Sequence, residues 1–145
     1  MRMKTSEGYK TVRRSSGDLA VIISDAFATP IIWNGFMNPP EFHHVILDHH
    51  SYQCFSPGLL GMMEEMYIDT ACRAGNVLRA VDKWTVVGEW SGAYTDCAKW
   101  LNGVGNGSNY QGEMGILSYQ VGKCGKKTAG RVAELSAEEQ GRIRR

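Results

Sequence analysis

The chain has 145 residues, with 16 Lys and Arg against 15 Asp and Glu and a net charge of +1. This near-neutral balance gives no electrostatic footprint for a nucleic-acid-binding protein. Hydrophobic residues make up 43% and charged residues 21%, close to the globular average, which argues against wholesale disorder. No run approaches 18 consecutive apolar residues, so we expect no membrane span. No apolar stretch follows the basic start of the chain, as a secretory signal would require.

Three short apolar runs predict strands. Residues 19–24 form a continuous β-branched run, which indicates a strand buried on both faces. Residues 45–47, extended by their flanks, predict a second strand, and residues 84–90 predict a third. Between the second and third, Ser56 is a plausible N-cap for a helix over residues 57–75, whose methionine-rich stripe we assign to core packing. This order predicts a parallel βαβ unit and an α/β fold.

The remainder of the chain is predicted to be mostly irregular. Residues 102–115 are rich in Gly and Asn and predict a loop after a short helical segment at 96–101. Glycine spacing in this loop resembles a phosphate-binding turn, but no strand precedes it, so the dinucleotide interpretation fails. Asn106-Gly107-Ser108 is a glycosylation sequon compatible with secretion, although such triplets often occur by chance. In the polar tail 126–145, Ser136 and Glu139 are spaced as a capping box.

Polar and aromatic side chains follow the predicted strands, where ligands of parallel α/β proteins bind. Asp25 and Phe27 follow the first strand, residues 48–55 follow the second, and Glu89 and Trp90 end the third. Alternation places His50 and Tyr52 on one face. Two interpretations of Glu89 stay open: a solvated strand end, or a catalytic carboxylate lined by aromatics that suit a sugar ring.

The histidines and cysteines allow a metal hypothesis, which we rank last. His43 and His44 lie six residues before His49 and His50, a separation of about 20 Å along a strand. One zinc ion does not bridge that distance without a sharp turn. The four cysteines contain no C-x-x-C pair, and their even number permits two disulfides without showing them. We therefore predict neither a metal nor a cofactor.

Several motifs occur in order along the chain and together resemble one known family. They are Ile23-Ser-Asp-Ala-Phe27, Trp33-Asn-Gly-Phe-Met37, Leu47-Asp-His-His-Ser-Tyr-Gln-Cys-Phe-Ser56, Val86-Val-Gly-Glu-Trp-Ser91 and Thr95-Asp-Cys-Ala-Lys-Trp-Leu-Asn-Gly103. These motifs resemble fungal exo-β-1,3-glucanases of glycoside hydrolase family 5, and the match runs from about residue 17 to residue 124.

The resemblance implies a partial (β/α)8 TIM barrel, about strands 5–7, from a retaining hydrolase that releases glucose from β-1,3-glucan. It implies that Glu89 is the nucleophile, that His50 and Tyr52 contact the sugar and orient Glu89, and that Phe27 and Phe55 line the entrance. We place Asp25 and Trp90 in the same substrate-binding set. The family also pairs the cysteines that match Cys97 and Cys124. β-1,3-Glucan is the expected partner, and an extracellular or cell-wall location is implied.

The chain departs from the family at the second catalytic carboxylate. A retaining glycosidase needs an acid/base group about 5–5.5 Å from its nucleophile, which the family supplies from an Asn-Glu-Pro sequence that is absent here. We therefore divide the chain into a lead-in at 1–16, a partial catalytic domain at 17–124 and a divergent tail at 125–145. Two functions are weighed: a glucan 1,3-β-glucosidase by descent, and a non-catalytic remnant that binds glucan weakly.

Overall fold

The computed structural model describes residues 2–115, 118–125, 133 and 135–143. Its elements are helix α1 (Arg2–Ser15), strand β1 (Val21–Ser24), a 3-10 helix (Pro30–Trp33), strand β2 (Val45–Ser51), helices α2 (Pro57–Leu60) and α3 (Glu64–Arg79), strand β3 (Trp84–Trp90) and helix α4 (Ala137–Ile143). The chain forms two compact units. The first contains Met1–Ser51 and Ile68–Trp90, and the second contains Tyr52–Tyr67 and Ser91–Arg145.

The first unit contains a parallel three-stranded sheet in the order β1-β2-β3. Ile23 of β1 pairs with Leu47 of β2, and Leu47 pairs in turn with Thr85 of β3. The predicted α/β class with parallel neighbouring strands is therefore confirmed. Because all three strands run the same way, their carboxyl ends meet at one edge of the sheet.

The sheet is less buried than its sequence predicts. Leu47 is fully buried and Ile23 is 5% exposed, but Ile22, on the opposite face of β1, is 59% exposed. The prediction that β1 is buried on both faces is therefore wrong. An apolar run shows only that a strand is suited to burial, and each face also needs a layer to cover it. The buried core consists of Tyr9, Ile23, Trp33, Met37, Val45, Leu47 and Val81.

Helix α1 is fixed to the loops that lead into β1 and β2. The hydroxyl oxygen of Tyr9 accepts a hydrogen bond from the His43 backbone N–H at 2.9 Å, and its ring packs on Phe42 at 4.9 Å between centroids. The Arg13 guanidinium donates to the carbonyl oxygens of Leu19 at 2.7 Å and His43 at 2.8 Å. These bonds satisfy backbone groups just before each strand begins. The proposed boundary at residue 16 stays a prediction.

The carboxylate of Asp82 joins the loop after the 3-10 helix to the start of β3. Asp82 accepts hydrogen bonds from the Gly35 backbone N–H at 2.6 Å and from the Asn38 amide at 2.5 Å, and Lys83 lies at 2.5 Å. Burial alone raises the pKa of Asp82, but these donors outweigh burial and lower it to about 2. The side chain is therefore a charged anchor at neutral pH.

The predicted helix over 57–75 is present in two pieces and extends further than predicted. Helix α2 ends at Leu60, α3 begins at Glu64 and α3 continues past Gly75 to Arg79. Ser56 occupies the N-cap position of α2, but its side chain forms no capping hydrogen bond. Gly75 does not end the helix because glycine inside a helix costs only about 1 kcal/mol, which the surrounding turns outweigh.

The second unit contains a Cys97–Cys124 disulfide with 5.5 Å between the Cα atoms, the pairing that the resemblance implies. Residues 102–115 are irregular as predicted, but residues 96–101 form bends and turns instead of the predicted short helix. Burial raises the pKa of the Cys54 thiol, with a further contribution from the charge of Asp96. Among the described residues, no helix is long and apolar enough to cross a membrane.

Asp96 organises the loop that the disulfide closes. It is 1% exposed, and its carboxylate accepts backbone N–H bonds from Asn109 at 2.6 Å and Tyr110 at 2.9 Å. The side-chain amides of Asn102 and Asn109 donate to it at 2.9 and 3.0 Å. Burial raises the pKa of Asp96, but these four bonds together outweigh burial and lower it. These hydrogen bonds to Asp96 fix residues 102–110, which form neither a helix nor a strand.

The tail lies largely outside the described residues. Helix α4 begins one residue after Ser136, whose carbonyl oxygen accepts the Gln140 N–H at 2.9 Å. Ser136 therefore stands where the predicted capping box places it, while the Glu139 side chain is outside the described part.

Candidate active site

The loop after β1 begins with a buried carboxylate that contacts a histidine. Asp25 is 0% exposed, and its Oδ2 lies 2.5 Å from Nδ1 of His49 on β2. The pair forms because Ser24 is in register with Asp48, which places the two following residues side by side. The other carboxylate oxygen, Oδ1, accepts the Phe27 backbone N–H at 2.9 Å. Asp25 therefore joins β2 to the loop that carries Phe27, and its predicted contact with substrate stays a prediction.

Phe27 is presented outward by a strained turn. Ala26 and Phe27 have φ values of +56° and +59°, in the left-handed region that side chains rarely adopt. The Phe27 ring is 76% exposed and meets the His50 imidazole edge-on, with 5.5 Å between centroids. The bond to Asp25 compensates for the unfavourable backbone conformation. The result is an exposed aromatic ring beside a titratable group.

His50 lies between two carboxylates. Its Nε2 is 3.2 Å from Asp48 Oδ2, and its Nδ1 is 3.3 Å from Glu89 Oε2. A neutral imidazole donates through one nitrogen only, whereas an imidazolium donates to both carboxylates together. The imidazole is 19% exposed, while the Glu89 carboxylate is 55% exposed. The arrangement orients an accessible carboxylate through a mostly buried partner.

A bulge in β3 makes this arrangement possible. His49 pairs with Val87 and His50 with Glu89, so Gly88 has no partner in the ladder. Its backbone N–H donates instead to Asp48 Oδ1 at 2.8 Å. The Asp48 carboxylate occupies the space where a side chain at position 88 would lie. A bulge re-aims the residue that follows it, and here that residue is Glu89.

We predict that Gly88→Ala lowers the free energy of unfolding by about 1–3 kcal/mol, because the new methyl group must displace the Asp48 carboxylate. Gly17→Ala is the matched control, since nothing lies within 4 Å of its added Cβ; it should change stability by less than about 0.5 kcal/mol. Urea unfolding of both variants measures the difference. Equal stability of the two variants would contradict the proposed bulge geometry.

The remaining aromatic site residues divide between the two units. Trp90, at the end of β3, is 72% exposed and belongs to the first unit with Glu89. Tyr52 and Phe55 belong to the second unit, where their rings meet edge-on with 5.6 Å between centroids. The structure thus brings Asp25, Phe27, His50 and Glu89 to one edge of the sheet. The predicted convergence of Tyr52 with them stays a prediction.

Sequence reasoning gives no role to Asp48 and considers His49 only in the metal hypothesis, whereas the structure shows what each contacts. Asp48 bridges Gly88 and His50, and His49 pairs with Asp25. Two sequence features carry this information. Asp48 and His50 are two residues apart and so share a face, and a glycine inside an apolar strand often marks a bulge.

Among the described residues, no group of three His, Cys, Asp or Glu side chains is arranged to hold a metal ion. His43 and His44 precede β2, whereas His49 and His50 lie near its carboxyl end.

Comparison with known proteins shows which proteins the chain is similar to. Three fungal proteins illustrate the similarity. The chain is 47% identical over 131 residues to "Glucan 1,3-beta-glucosidase" of Blumeria graminis, a match that covers 89% of the chain and 30% of the relative. It is 39% identical over 140 residues to "Probable glucan 1,3-beta-glucosidase A" of Aspergillus terreus (96% and 33%), and 42% identical over 118 residues to the Schwanniomyces occidentalis protein (81% and 28%). These relatives are glycosidases by name.

The predicted resemblance is therefore confirmed: the chain is related to the fungal glucan 1,3-beta-glucosidases over most of its length. It spans about a third of the length of these curated relatives. No protein-family model matches it.

Proposed function

We propose that this chain is the part of a retaining β-glycosidase that carries the nucleophile, Glu89. The finer assignment is a partial (β/α)8 barrel, strands 5–7, of an exo-acting enzyme that releases glucose from β-1,3-glucan. An extracellular or cell-wall location belongs to the same proposal. The observation that carries it is the placement of His50 within 3.3 Å of the half-exposed Glu89 carboxylate.

The position of Glu89 suits nucleophilic attack on a sugar. A nucleophilic carboxylate must reach the anomeric carbon while a second group fixes its direction. The exposed fraction of Glu89 leaves its carboxylate accessible, and the bulge at Gly88 together with His50 limits its direction. Phe27 and Trp90, both strongly exposed, offer apolar ring faces at the same edge of the sheet. Such faces suit the C–H face of a glucose ring.

Asp48 does not provide the missing acid. An acid/base group must carry a proton to the leaving oxygen. Both oxygens of Asp48 are already in contact with groups of the chain: Oδ1 accepts the Gly88 N–H, and Oδ2 lies 3.2 Å from His50 Nε2. These contacts commit both oxygens of Asp48 to groups of the chain itself. We therefore propose that Asp48 positions His50 and that the chain alone lacks general acid catalysis.

The chain by itself should therefore release no glucose from laminarin-type β-1,3-glucan. General acid catalysis typically contributes 10²–10⁴-fold, and this contribution is missing. Glucose release by the purified chain is measured beside the same assay with Glu89→Gln. Release that the Glu89→Gln substitution abolishes would show that the chain is an active enzyme and would overturn this part of the proposal.

The second candidate is a non-catalytic remnant that binds glucan weakly through Phe27, Tyr52, Phe55 and Trp90. It is favoured by the exposed rings of Phe27 and Trp90 in the first unit and, separately, by the exposed Phe55 ring beside the half-buried Tyr52 in the second. Trp90 and Trp84 provide a matched comparison, since they are 72% and 80% exposed at opposite ends of β3. Trp90→Ala should weaken binding of a β-1,3-gluco-oligosaccharide about fivefold, as expected for one aromatic contact of about 1 kcal/mol. Trp84→Ala should leave it unchanged. Titration followed by NMR measures both, and equal effects, or no binding at all, would argue against glucan recognition here.

A further inference from the structure

The loop closed by the disulfide displays an acceptor sequence for N-linked glycosylation. Asn106-Gly107-Ser108 is the only Asn-x-Ser/Thr triplet in the sequence. Asn106 is exposed and lies in an irregular stretch between two turns. Its side-chain Nδ2 donates to the Asn102 carbonyl oxygen at 2.6 Å, which directs the amide along the loop surface. The asparagine is thus placed where a bulky, solvated group is tolerated.

The same unit also indicates an oxidising compartment. The Cys97–Cys124 disulfide closes the segment that contains the triplet, and disulfides form and persist mainly in secretory compartments and outside the cell. N-Glycosylation takes place in the same pathway. Two independent features of one loop, a cross-link and an acceptor triplet, therefore point to the same environment.

We propose that Asn106 carries an N-linked glycan and that it is attached before the Cys97–Cys124 disulfide closes. In the transfer, a bond forms between Asn106 Nδ2 and the anomeric carbon of a lipid-diphosphate-linked oligosaccharide. The bond from that carbon to the diphosphate oxygen breaks, and the lipid diphosphate leaves. The amide loses one proton to the transferase. The remaining Nδ2–H still donates to the Asn102 carbonyl oxygen, so the loop accepts the modification without losing this bond.

The order of events follows from the burial of Ser108. The transferase recognises the hydroxyl of the triplet, but Ser108 is 5% exposed in the folded loop. Its Oγ lies 3.4 Å from Cys124 Sγ and accepts the Gln111 N–H at 3.1 Å. Its backbone N–H donates to Glu113 Oε2 at 2.9 Å. Closing the disulfide therefore hides the hydroxyl that recognition requires.

A glycosidase digest tests the site. The full chain is secreted from a eukaryotic host behind a cleavable leader and treated with peptide-N-glycosidase F. The expected result is a downward gel shift and conversion of Asn106 to Asp in the peptide mass spectrum. Asn106→Gln and Ser108→Ala should both abolish the shift, whereas Asn76→Gln, an exposed asparagine outside any triplet, should preserve it. Secreted chain without glycan at position 106 would overturn the proposal.

The order of events needs a separate test. Chain purified from bacteria is offered to an oligosaccharyltransferase with a lipid-linked oligosaccharide, either folded and oxidised or reduced and unfolded. The reduced chain should be glycosylated at least severalfold faster, and Cys124→Ser should raise the occupancy of the secreted chain. Equal rates for the two forms would refute the proposed order. This inference is independent of the glucan hypothesis, since neither test uses β-1,3-glucan or measures glucose release.

Discussion

Replacing Asp25 with alanine should lower the free energy of unfolding of the first unit by about 2–5 kcal/mol, because two groups lose their hydrogen-bond acceptor and each such loss costs about 1–3 kcal/mol. Asp25 is 0% exposed, and its removal leaves His49 Nδ1 and the Phe27 N–H without their shared acceptor. Asp25→Asn should cost less, since its amide oxygen still accepts the Phe27 N–H. Urea unfolding of the three chains gives the values.

Asp18→Ala is the matched control for this prediction. Asp18 is exposed near the start of β1, and its loss should change stability by less than about 0.5 kcal/mol. A second readout separates the loop from the sheet. Since Asp25 holds Phe27 against His50, Asp25→Ala should shift the NMR resonances of the His50 ring. An alanine variant as stable as Asp18→Ala, with unchanged His50 resonances, would contradict the role of Asp25.

The strands illustrate what could be predicted from sequence. The sequence predicts a strand over residues 84–90, and β3 has these bounds. The prediction succeeds because β-branched and aromatic residues favour extended backbone. The sequence predicts the site only in part, because it shows neither the strand register nor the bulge in β3. Alternation along a strand predicts that His50 and Tyr52 share a face. It did not show that Asp25 faces His49, because that depends on pairing between strands far apart in the chain.

The exposed face of β1 has a related explanation. Ile22 and Ile23 are equally apolar, yet the Ile22 side chain is 59% exposed and the Ile23 side chain is 5% exposed. Burial depends on which elements cover each face, and the hydrophobicity of a single strand does not contain that information. Likewise, residues 61–63 interrupt the predicted helix between α2 and α3, although the apolar periodicity continues through them. Local pattern therefore predicted the elements, while coverage and strand register determined the site.

Asp96 is a further residue whose role depends on its surroundings. It stabilises the loop by accepting four hydrogen bonds, and no sequence motif indicates this role. Asp96→Asn should lower the free energy of unfolding of the second unit by about 3 kcal/mol, because an amide N–H₂ then faces buried N–H donors that lose their acceptor. Glu113→Gln is the control. Glu113 is exposed and accepts the Ser108 N–H through Oε2, and glutamine keeps an acceptor there. Its effect should stay below about 1 kcal/mol.

The pH dependence of Asp96 gives the sharper test. Its pKa in the folded chain is lowered because its four hydrogen bonds outweigh burial. This contribution to stability is therefore fully present above the unfolded pKa of about 3.9. It is lost as pH falls through the lower folded value. Amide exchange at Asn109 and Tyr110, measured at neutral pH and near pH 3, should show protection falling more steeply in the native chain than in Asp96→Asn. Parallel pH curves for the two chains would mean that the Asp96 carboxylate does not hold this loop.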